Sequence, residues 1–493
     1  MYCGDETGSF IGEIGSNSCR FGYGGEDNPK LVTPSYVTHK STVAASAFSA
    51  RLAQEEMESI LRRPDYSSCP LTDPNAFLRQ GDLVEHWDHL QTAWETGMDL
   101  LHAKDTLKHT QGGAPFSKGS SAEGKCVHPI LAITPGFTQF DGYGASYCAS
   151  VKRQQHIQYT ELLMEQMEAS SLFLAPAPML AAFSVGRQTA LVVDIGAGGT
   201  RVTPVVDGLL LQQAQRRNGR GGDWLGHVTW KALLEEKMTP KPRYLLRDNV
   251  STAKSPLFHT WAMHELMYEL RTEPFVTMQA TPPAHVNTRV PFTKEAKEKN
   301  GDDEEMEDAD GPESPPPTPA SVTSAASAAE PSMYELPDGS LINLSISQFG
   351  KDLISIPELL FAKALPFQDT SSATPMTSQL QTLLDAPLPE LIHQSLLAVG
   401  DVDVRKDLAS NIVLTGGSSL FPNLDTRLSH ELSQLLPAFT KPKVIAPRFS
   451  VERTCASWIG ASILTSLGSF QQLWLSRTEY EEYGSTMAIQ RFP

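Results

Sequence analysis

Long apolar runs, paired cysteines and a leader segment are all missing from this sequence. No apolar stretch approaches the length that spans a bilayer, and the first residues, MYCGDETGSF, contain neither the basic region nor the apolar core of a signal peptide. The 6 cysteines among 493 residues are dispersed, with no Cys-x-x-Cys pair, which counts against a disulfide framework and a zinc module. We therefore expect a protein of the cytosol or nucleus that has no membrane partner.

Positive charge is also scarce. The chain has 40 lysines and arginines against 57 acids, a net charge of −17, and residues 302–313 hold eight acids and no base. Removing that run leaves −9 for the rest of the chain. Such a diffuse acidic surface counts against strong direct DNA binding by this chain alone.

The length and the distribution of polar segments indicate how the chain is divided. At 493 residues it exceeds what one hydrophobic core usually supports, so two or more domains are expected. Segment 295–332 combines charge, proline and small polar residues, and it cannot bury enough surface to offset its chain entropy. We predict a disordered linker there, and surface loops at 38–66 and 104–125.

The rest of the chain is patterned. ALVVDI (190–195) and RVTPVVDGLLLQ (201–212) predict adjacent strands around a glycine-rich turn, with Asp207-Gly208 as a tight hairpin. Apolar spacing predicts helices over 423–436 and 457–474. Their apolar stripes are Leu424, Leu428, Leu432 and Leu435 in the first, and Ile459, Ile463, Leu467 and Phe470 in the second. Alternating strands, glycine turns and helices favour an α/β fold with two related halves.

One glycine-rich motif occurs twice. Residues 13–20 (EIGSNSCR) and 194–201 (DIGAGGTR) share an acid, an Ile-Gly pair and an arginine at identical spacing. A strand–turn–strand hairpin of this kind can point backbone N–H groups at a phosphate, because glycine allows close approach. Neither copy matches the Walker loop or the dinucleotide fingerprint. A third glycine turn follows an aliphatic strand at 411–422 (NIVLTGGSSLFP).

The three turns together predict a nucleotide held in a cleft between two halves. Asp194, with Glu13 as its partner on the other hairpin, is predicted to hold a hydrated Mg²⁺. The candidate nucleotide-binding residues are Gly15, Ser16, Asn17, Ser18, Arg20, Asp194, Gly196, Ala197, Gly198, Gly199, Gly416, Gly417, Ser418 and Phe421.

Many segments resemble the actin family, within the wider superfamily that includes chaperone and sugar-kinase ATPases. The densest are DVDVRKDLASNIVLTGG (401–417) and SWIGASILTSLGSFQQLWLSRTEYEEYG (457–484), and YELPDG (334–339) resumes the pattern after the linker. The resemblance implies an actin-like α/β fold of two mixed-sheet lobes around an ATP cleft. The lobes would span 1–180 and 181–455, with 456–493 packing back on the first lobe.

Departures from the actin pattern decide what activity to expect. The actin glutamine that positions the attacking water aligns with Ala177, which can neither orient nor activate a water. One loop acid has become Ala197, the phosphate lysine has become Arg20, and the lysine near the adenine has become Thr454. We expect ATP binding with little hydrolysis, and we assign no catalytic residue. The filament-forming loop is replaced within 38–66, which puts polymerisation in doubt.

The acidic insertion before YELPDG, together with the lost hydrolytic residues, resembles a nuclear class of actin-related proteins found in chromatin-remodelling and histone-acetyltransferase complexes. That class implies a nuclear scaffold subunit that pairs with nuclear actin on a long amphipathic helix of a remodelling ATPase or scaffold subunit, with histones as a further proposed partner. Positions matching actin's partner groove are Phe183, Gly186, Leu464, Leu467, Ser469 and Leu473. On pattern alone, the leucines would be helix core.

Two other function classes remain open on the sequence. One is an active ATPase or a sugar or acetate kinase of the same superfamily, but no convincing carboxylate base accompanies the missing glutamine. The other is a filament-forming cytoskeletal actin-like protein, against which the altered segment 38–66 and the insertion 295–332 both count.

Overall fold

The computed structural model describes residues 8–35, 84, 87–109, 128–136, 145–242, 256–281, 291–292, 333–363, 386–437 and 440–492. The predicted linker at 295–332, the segment 38–66 and residues 110–125 lie outside these ranges. Within them, no helix is long and apolar enough to cross a membrane.

The first half of the chain builds a six-stranded mixed sheet. Its strands are β1 (Phe10–Ile14), β2 (Ser18–Tyr23), β3 (Leu31–Pro34), β4 (Ile130–Thr134), β5 (Ser171–Pro176) and β14 (Leu475–Ser476), in the order β14-β5-β4-β1-β2-β3. β1 forms a hairpin with β2 and lies parallel to β4, which lies parallel to β5. The buried ring of Trp94 packs on this sheet directly over Gly12. Any side chain at position 12 would overlap that ring.

Three helices flank the first sheet. They are α1 (Trp87–His109), α2 (Ala145–Glu161), which continues into a π-helical turn at Leu162–Gln166, and α3 (Ala177–Ser184). The loop predicted for 104–125 is wrong at its start, because α1 continues to His109.

The second sheet repeats the arrangement of the first. It contains β6 (Ala190–Ile195), β7 (Thr200–Val206), β8 (Leu209–Leu210), β9 (Arg216–Asn218), β12 (Ile412–Thr415) and β13 (Val444–Ile445), in the order β13-β12-β6-β7-β8 with β9 beside β7. β6 forms a hairpin with β7 and lies parallel to β12, which lies parallel to β13. Two mixed sheets that share this topology, each flanked by helices, confirm the predicted α/β fold with two related halves.

The remaining elements of the second half surround this sheet. They are the hairpin β10 (Met333–Glu335) and β11 (Leu341–Asn343), and the helices α4 (Gly222–Glu235), α5 (Pro256–Thr272), α6 (Gln348–Ile354), α7 (Leu388–Ala398), α8 (Val402–Ala409) and α9 (Leu424–Leu435). The predicted tight hairpin is confirmed, because Asp207 and Gly208 join β7 to β8 with φ angles of 49° and 79°.

The helix predicted over 423–436 is confirmed as α9, but one member of its stripe is wrong. Leu424, Leu428 and Leu432 are fully buried, whereas Leu435 is 41% exposed. Leu436 is buried instead. It lies four residues after Leu432, and its extended backbone at the end of the helix directs it to the same buried face.

The single helix predicted over 457–474 is wrong. The chain forms α10 (Ser450–Thr454) and α11 (Ala456–Thr465), then a 3₁₀ turn at Gly468–Gln472, and finally α12 (Arg477–Tyr483) and α13 (Met487–Arg491). The backbone is extended at Leu467, which turns Phe470 into the core against Phe173, 4.7 Å away between ring centroids. Ile463 and Leu467 are consequently 45% and 49% exposed.

The C-terminal segment lies mainly on the first sheet, and its first residue, Ala456, also packs in a core with Val192, Val205 and Val413 of the second sheet. α11 packs along α3 and against β1, and β14 pairs with β5. Ser457 at the start of α11 thereby reaches the turn of the first hairpin.

Candidate nucleotide site

A cavity of about 940 Å³ lies between the two sheets and is lined by all three glycine turns. Of the predicted nucleotide-binding residues, the structure brings together Gly15, Ser16, Asn17, Ser18, Arg20, Asp194, Gly196, Ala197, Gly416, Gly417, Ser418 and Phe421, with Glu13 beside them. Gly198 and Gly199 are not among the lining residues. The volume lies within the range of small-molecule sites.

The turn between β1 and β2 is a compact backbone loop. Gly15 N donates to Ser18 O at 3.1 Å, and the Ser35 hydroxyl donates to Gly15 O. Directly below the turn, Glu13 and Arg20 are paired across the hairpin, with Nη1 of Arg20 at 2.9 Å from Oε2 of Glu13. Burial alone would lower the pKa of Arg20, but Glu13 and its other negative neighbours raise it above its usual value, so the guanidinium stays charged.

The turn between β6 and β7 is braced by the start of α4. Gly222 N donates to Gly196 O and Asp223 N donates to Ala197 O, both at 2.9 Å. Gly199 has φ of 142°, and a side chain there would overlap Asn218 O. Glycine at this position lets the turn approach the strand end that supports it, while the role of Gly199 in binding stays a prediction.

The third turn, at Gly416 and Gly417, lies against Asp194 of the second hairpin. Thr415 pairs with Asp194 in parallel register, and Gly416 follows with φ of 93°. A Cβ at Gly416 would lie 2.5 Å from Oδ1 of Asp194, whereas one at Gly417 would meet no atom within 4 Å. Only glycine fits this close approach at Gly416.

The two carboxylates predicted to hold Mg²⁺ are each paired with an arginine of the same hairpin. Oε2 of Glu13 accepts from Arg20, and Oε1 accepts from the Ser457 hydroxyl at 2.6 Å. Asp194 lies 3.5 Å from Nη1 of Arg201. No cluster of three or more His, Cys, Asp or Glu side chains suited to a metal occurs in the described part of the chain. Glu13 is therefore an ion-pair partner of Arg20 in this structure, and its role beside a hydrated Mg²⁺ stays a prediction.

Two positions that depart from the actin pattern also line the cavity. Ala177, the first residue of α3, lines it with a methyl group that can neither donate nor accept a hydrogen bond. Thr454 lines it as well, and its hydroxyl donates to Ser450 O at 2.9 Å.

Sequence reasoning missed the wall that α4 and α5 contribute. Tyr268, Arg271 and Glu273 line the cavity, and Arg271 is buried, with its guanidinium bonded to the carbonyls of Met267 and Gly222. Asp223 also lines it and lies 2.9 Å from Nε2 of His264. The Gly221-Gly222 pair directly before Asp223 is a glycine signal that could have indicated the α4 wall, whereas α5 contains no glycine and only the fold reveals its position.

Of the six predicted partner-groove residues, Phe183 and Gly186 lie at the end of α3 and just after it, and the other four belong to the C-terminal segment. Leu467 and Leu473 are 49% and 50% exposed, so for them the alternative of helix core is wrong. Leu464 and Phe183 are half-buried, and Gly186 and Ser469 are exposed. None of the six lines the neighbouring cavity of about 730 Å³, which has Ile459 and Ile463 in its wall.

Comparison with known proteins adds a family and named relatives. A family model described as actin matches residues 4–493. A protein named actin-related protein 4 from Arabidopsis thaliana is 28% identical over 517 aligned residues, covering 100% of both chains. The proteins of the same name from Oryza sativa subsp. indica and Schizosaccharomyces pombe are 29% and 28% identical. They cover 100% and 98% of this chain, and 100% and 96% of the relatives.

Proposed function

The chain belongs to the actin family, and from that premise we propose that it is a nucleotide-binding scaffold subunit and not an enzyme. The observation that carries the proposal is the cleft itself, where two glycine-rich turns of matching sequence line one cavity with Ala177 in its wall. Relatives that match over their whole length and are named actin-related protein 4 support the same class.

The nucleotide we propose is ATP. The first and second turns present backbone at positions where successive N–H groups can bind phosphate oxygens, and the third turn with Phe421 supplies a further wall for the nucleotide. Arg20, Arg201 and Arg271 place three guanidiniums along the same cavity, which suits an anionic ligand.

We propose that hydrolysis is slow, because nothing at Ala177 positions the attacking water. General acid–base or water-positioning groups contribute about 10²–10⁴-fold to rates of this kind. Single-turnover hydrolysis of bound ATP by the purified chain tests this, with conventional actin as the reference. A rate close to that of actin would refute the scaffold proposal, and Ala177→Gln is the matched variant that should raise the rate.

The partners we propose are nuclear actin and an amphipathic helix of a remodelling ATPase or scaffold subunit, with histones as a further candidate. The half-exposed Leu467 and Leu473 support a helix-in-groove interface, since apolar side chains of this size are costly to leave in water. The protein would then act in the nucleus, within chromatin-remodelling and histone-acetyltransferase complexes that serve transcription regulation and DNA repair.

Leu467→Asp tests the docking surface. The side chain is half in solvent, so the variant should fold, yet it should lose the partner helix in co-purification with a remodeller. The matched control is Leu209→Asp, which changes a still more exposed leucine on the second sheet. Equal recovery of the partner with both variants would remove this surface from the proposal.

The same purified protein also tests two alternative functions. An active ATPase or kinase predicts multiple turnovers with ATP and a phosphate acceptor. A cytoskeletal filament former predicts pelleting after salt addition, and robust filaments would refute the non-polymerising subunit.

A further inference from the structure

Each acid that a glycine hairpin presents to the cleft is paired with an arginine of the same hairpin. Glu13 lies opposite Arg20, and Asp194 lies opposite Arg201, at equivalent positions of the two sheets. Nη1 of Arg20 is 2.9 Å from Glu13, and Nη1 of Arg201 is 3.5 Å from Asp194. All four side chains line the same cavity.

The second oxygens of the two carboxylates differ: that of Glu13 is engaged, whereas the Asp194 side chain is 34% exposed toward the cavity. Oε1 of Glu13 accepts from the Ser457 hydroxyl at 2.6 Å, so both oxygens of this acid have donors. Oδ1 of Asp194 lies against the third turn, where even a methyl group at Gly416 would come within 2.5 Å. A cation that bound Glu13 directly would have to displace Arg20 or Ser457, and one that bound Oδ2 of Asp194 would compete with Arg201.

Magnesium places strict demands on such a site. It takes oxygen ligands in near-octahedral geometry, usually keeps several waters, and is bound through one or two carboxylates together with phosphate oxygens. A guanidinium instead offers N–H donors in a planar fork that matches phosphate oxygens. Arg20 uses Nη1 for Glu13, which leaves its remaining donors for a ligand.

We propose that the cleft binds its nucleotide without a divalent cation, with Arg20 and Arg201 each cancelling the charge of the acid beside it and donating hydrogen bonds to phosphate oxygens where a metal would otherwise lie. Pairing each acid with an arginine removes the repulsion that a bare carboxylate would impose on a phosphate. The inference rests on the proposed nucleotide binding, and it specifies the chemical form of the ligand as metal-free ATP.

Equilibrium dialysis of the full chain with radiolabelled ATP tests the inference, once with excess Mg²⁺ and once with EDTA. The dissociation constants should agree within about fivefold, and a larger loss in EDTA would overturn metal independence. ATP binding that is strong with Mg²⁺ alone would leave the proposed function standing while refuting this inference. No ATP binding under either condition would refute both.

Variants of Arg201 test whether the arginine substitutes for the metal. Arg201→Met should weaken ATP binding in EDTA by about tenfold or more, and added Mg²⁺ should restore it, because Asp194 then becomes available to a cation. Arg201→Lys should keep metal-independent binding. Arg448→Met, at an exposed site outside the cavity, is the matched control.

Two outcomes would contradict this role. Wild-type affinity of Arg201→Met in EDTA would mean that the arginine does not replace the metal, and so would a loss that Mg²⁺ fails to restore. Unfolding temperatures of all variants show whether each is folded, and Arg20→Met carries the same test to the first hairpin if Arg201→Met does not fold.

Discussion

Gly416 combines a backbone conformation that favours glycine with direct proximity to Asp194 of the candidate site. Its φ is 93°, and a Cβ would lie 2.5 Å from both Oδ1 of Asp194 and the Ile195 carbonyl oxygen. Gly416→Ala should therefore lower the free energy of unfolding by about 1–3 kcal/mol, measured by urea denaturation without nucleotide. Gly417→Ala is the control, because a Cβ there meets nothing within 4 Å, and its effect should stay below about 0.5 kcal/mol. Equal losses would contradict the steric argument.

Individual residues also show how far the sequence alone could locate the site. The equal spacing of Glu13 with Arg20 and of Asp194 with Arg201 predicted matching hairpins, and the strand registers confirm that match. The ion pairs across those hairpins were not predicted, because side-chain pairing depends on register, which local composition does not encode. Arg271 was missed for a related reason, since its place in the wall depends on how α5 packs.

Helix α9 shows where periodicity succeeds and where it fails among the elements. The four-residue spacing identified three buried leucines, but the end of the helix determined that Leu436 and not Leu435 turns inward. Leu432→Ala should thus cost about 2–5 kcal/mol of unfolding free energy, because it removes a fully buried side chain. Leu435→Ala should cost less than about 0.5 kcal/mol in the same urea titration. A comparable cost at both positions would contradict the assigned face.

The break after α11 lies beyond what periodicity can predict. The apolar spacing continues from Ile463 through Phe470, yet the chain leaves the helix at Ser466 and Leu467. Burying Phe470 against Phe173 and Trp474 requires that change of direction, and these contacts are distant in sequence or outside a helical repeat. Tertiary packing overrides local pattern here, and it leaves the half-exposed leucines of the proposed docking surface.

The contact between α2 and α13 should make stability sensitive to acid. Burial, and then the positive charge of Lys152, lower the pKa of His156 to about 4 from 6.5, while a hydrogen bond with the Phe492 backbone opposes the shift. The unfolded chain binds this proton more readily, so the stabilisation is complete above pH 6.5 and is lost as the pH falls toward about 4. Wild type should lose about 2 kcal/mol more than His156→Gln between pH 7 and about pH 5 in urea titrations. Parallel pH profiles for the two proteins would contradict a buried neutral histidine.

On the scale of the whole molecule, the chain is two copies of one topology joined at a cleft. Each copy is a hairpin followed by two parallel strands, and the C-terminal segment returns to the first sheet through β14. The duplication was predictable because the two glycine motifs repeat in sequence, while the return of the C-terminal segment came from family resemblance and not from any local pattern. Ser457 links that segment to Glu13, so the first turn depends on residues at both ends of the chain.

A ligand in this cleft should couple the two halves of the molecule. The turns that would bind ATP belong to different sheets, so one nucleotide contacts both hydrophobic cores through their hairpins. At a concentration about 100 times its dissociation constant, ATP should add about 2.7 kcal/mol to the unfolding free energy. Calorimetry should then show a rise in unfolding temperature of about 2–4 °C and a single transition, with EDTA present as well as with Mg²⁺. A shift confined to one of two separable transitions would mean that ATP contacts only one half, and it would contradict the cleft as the site.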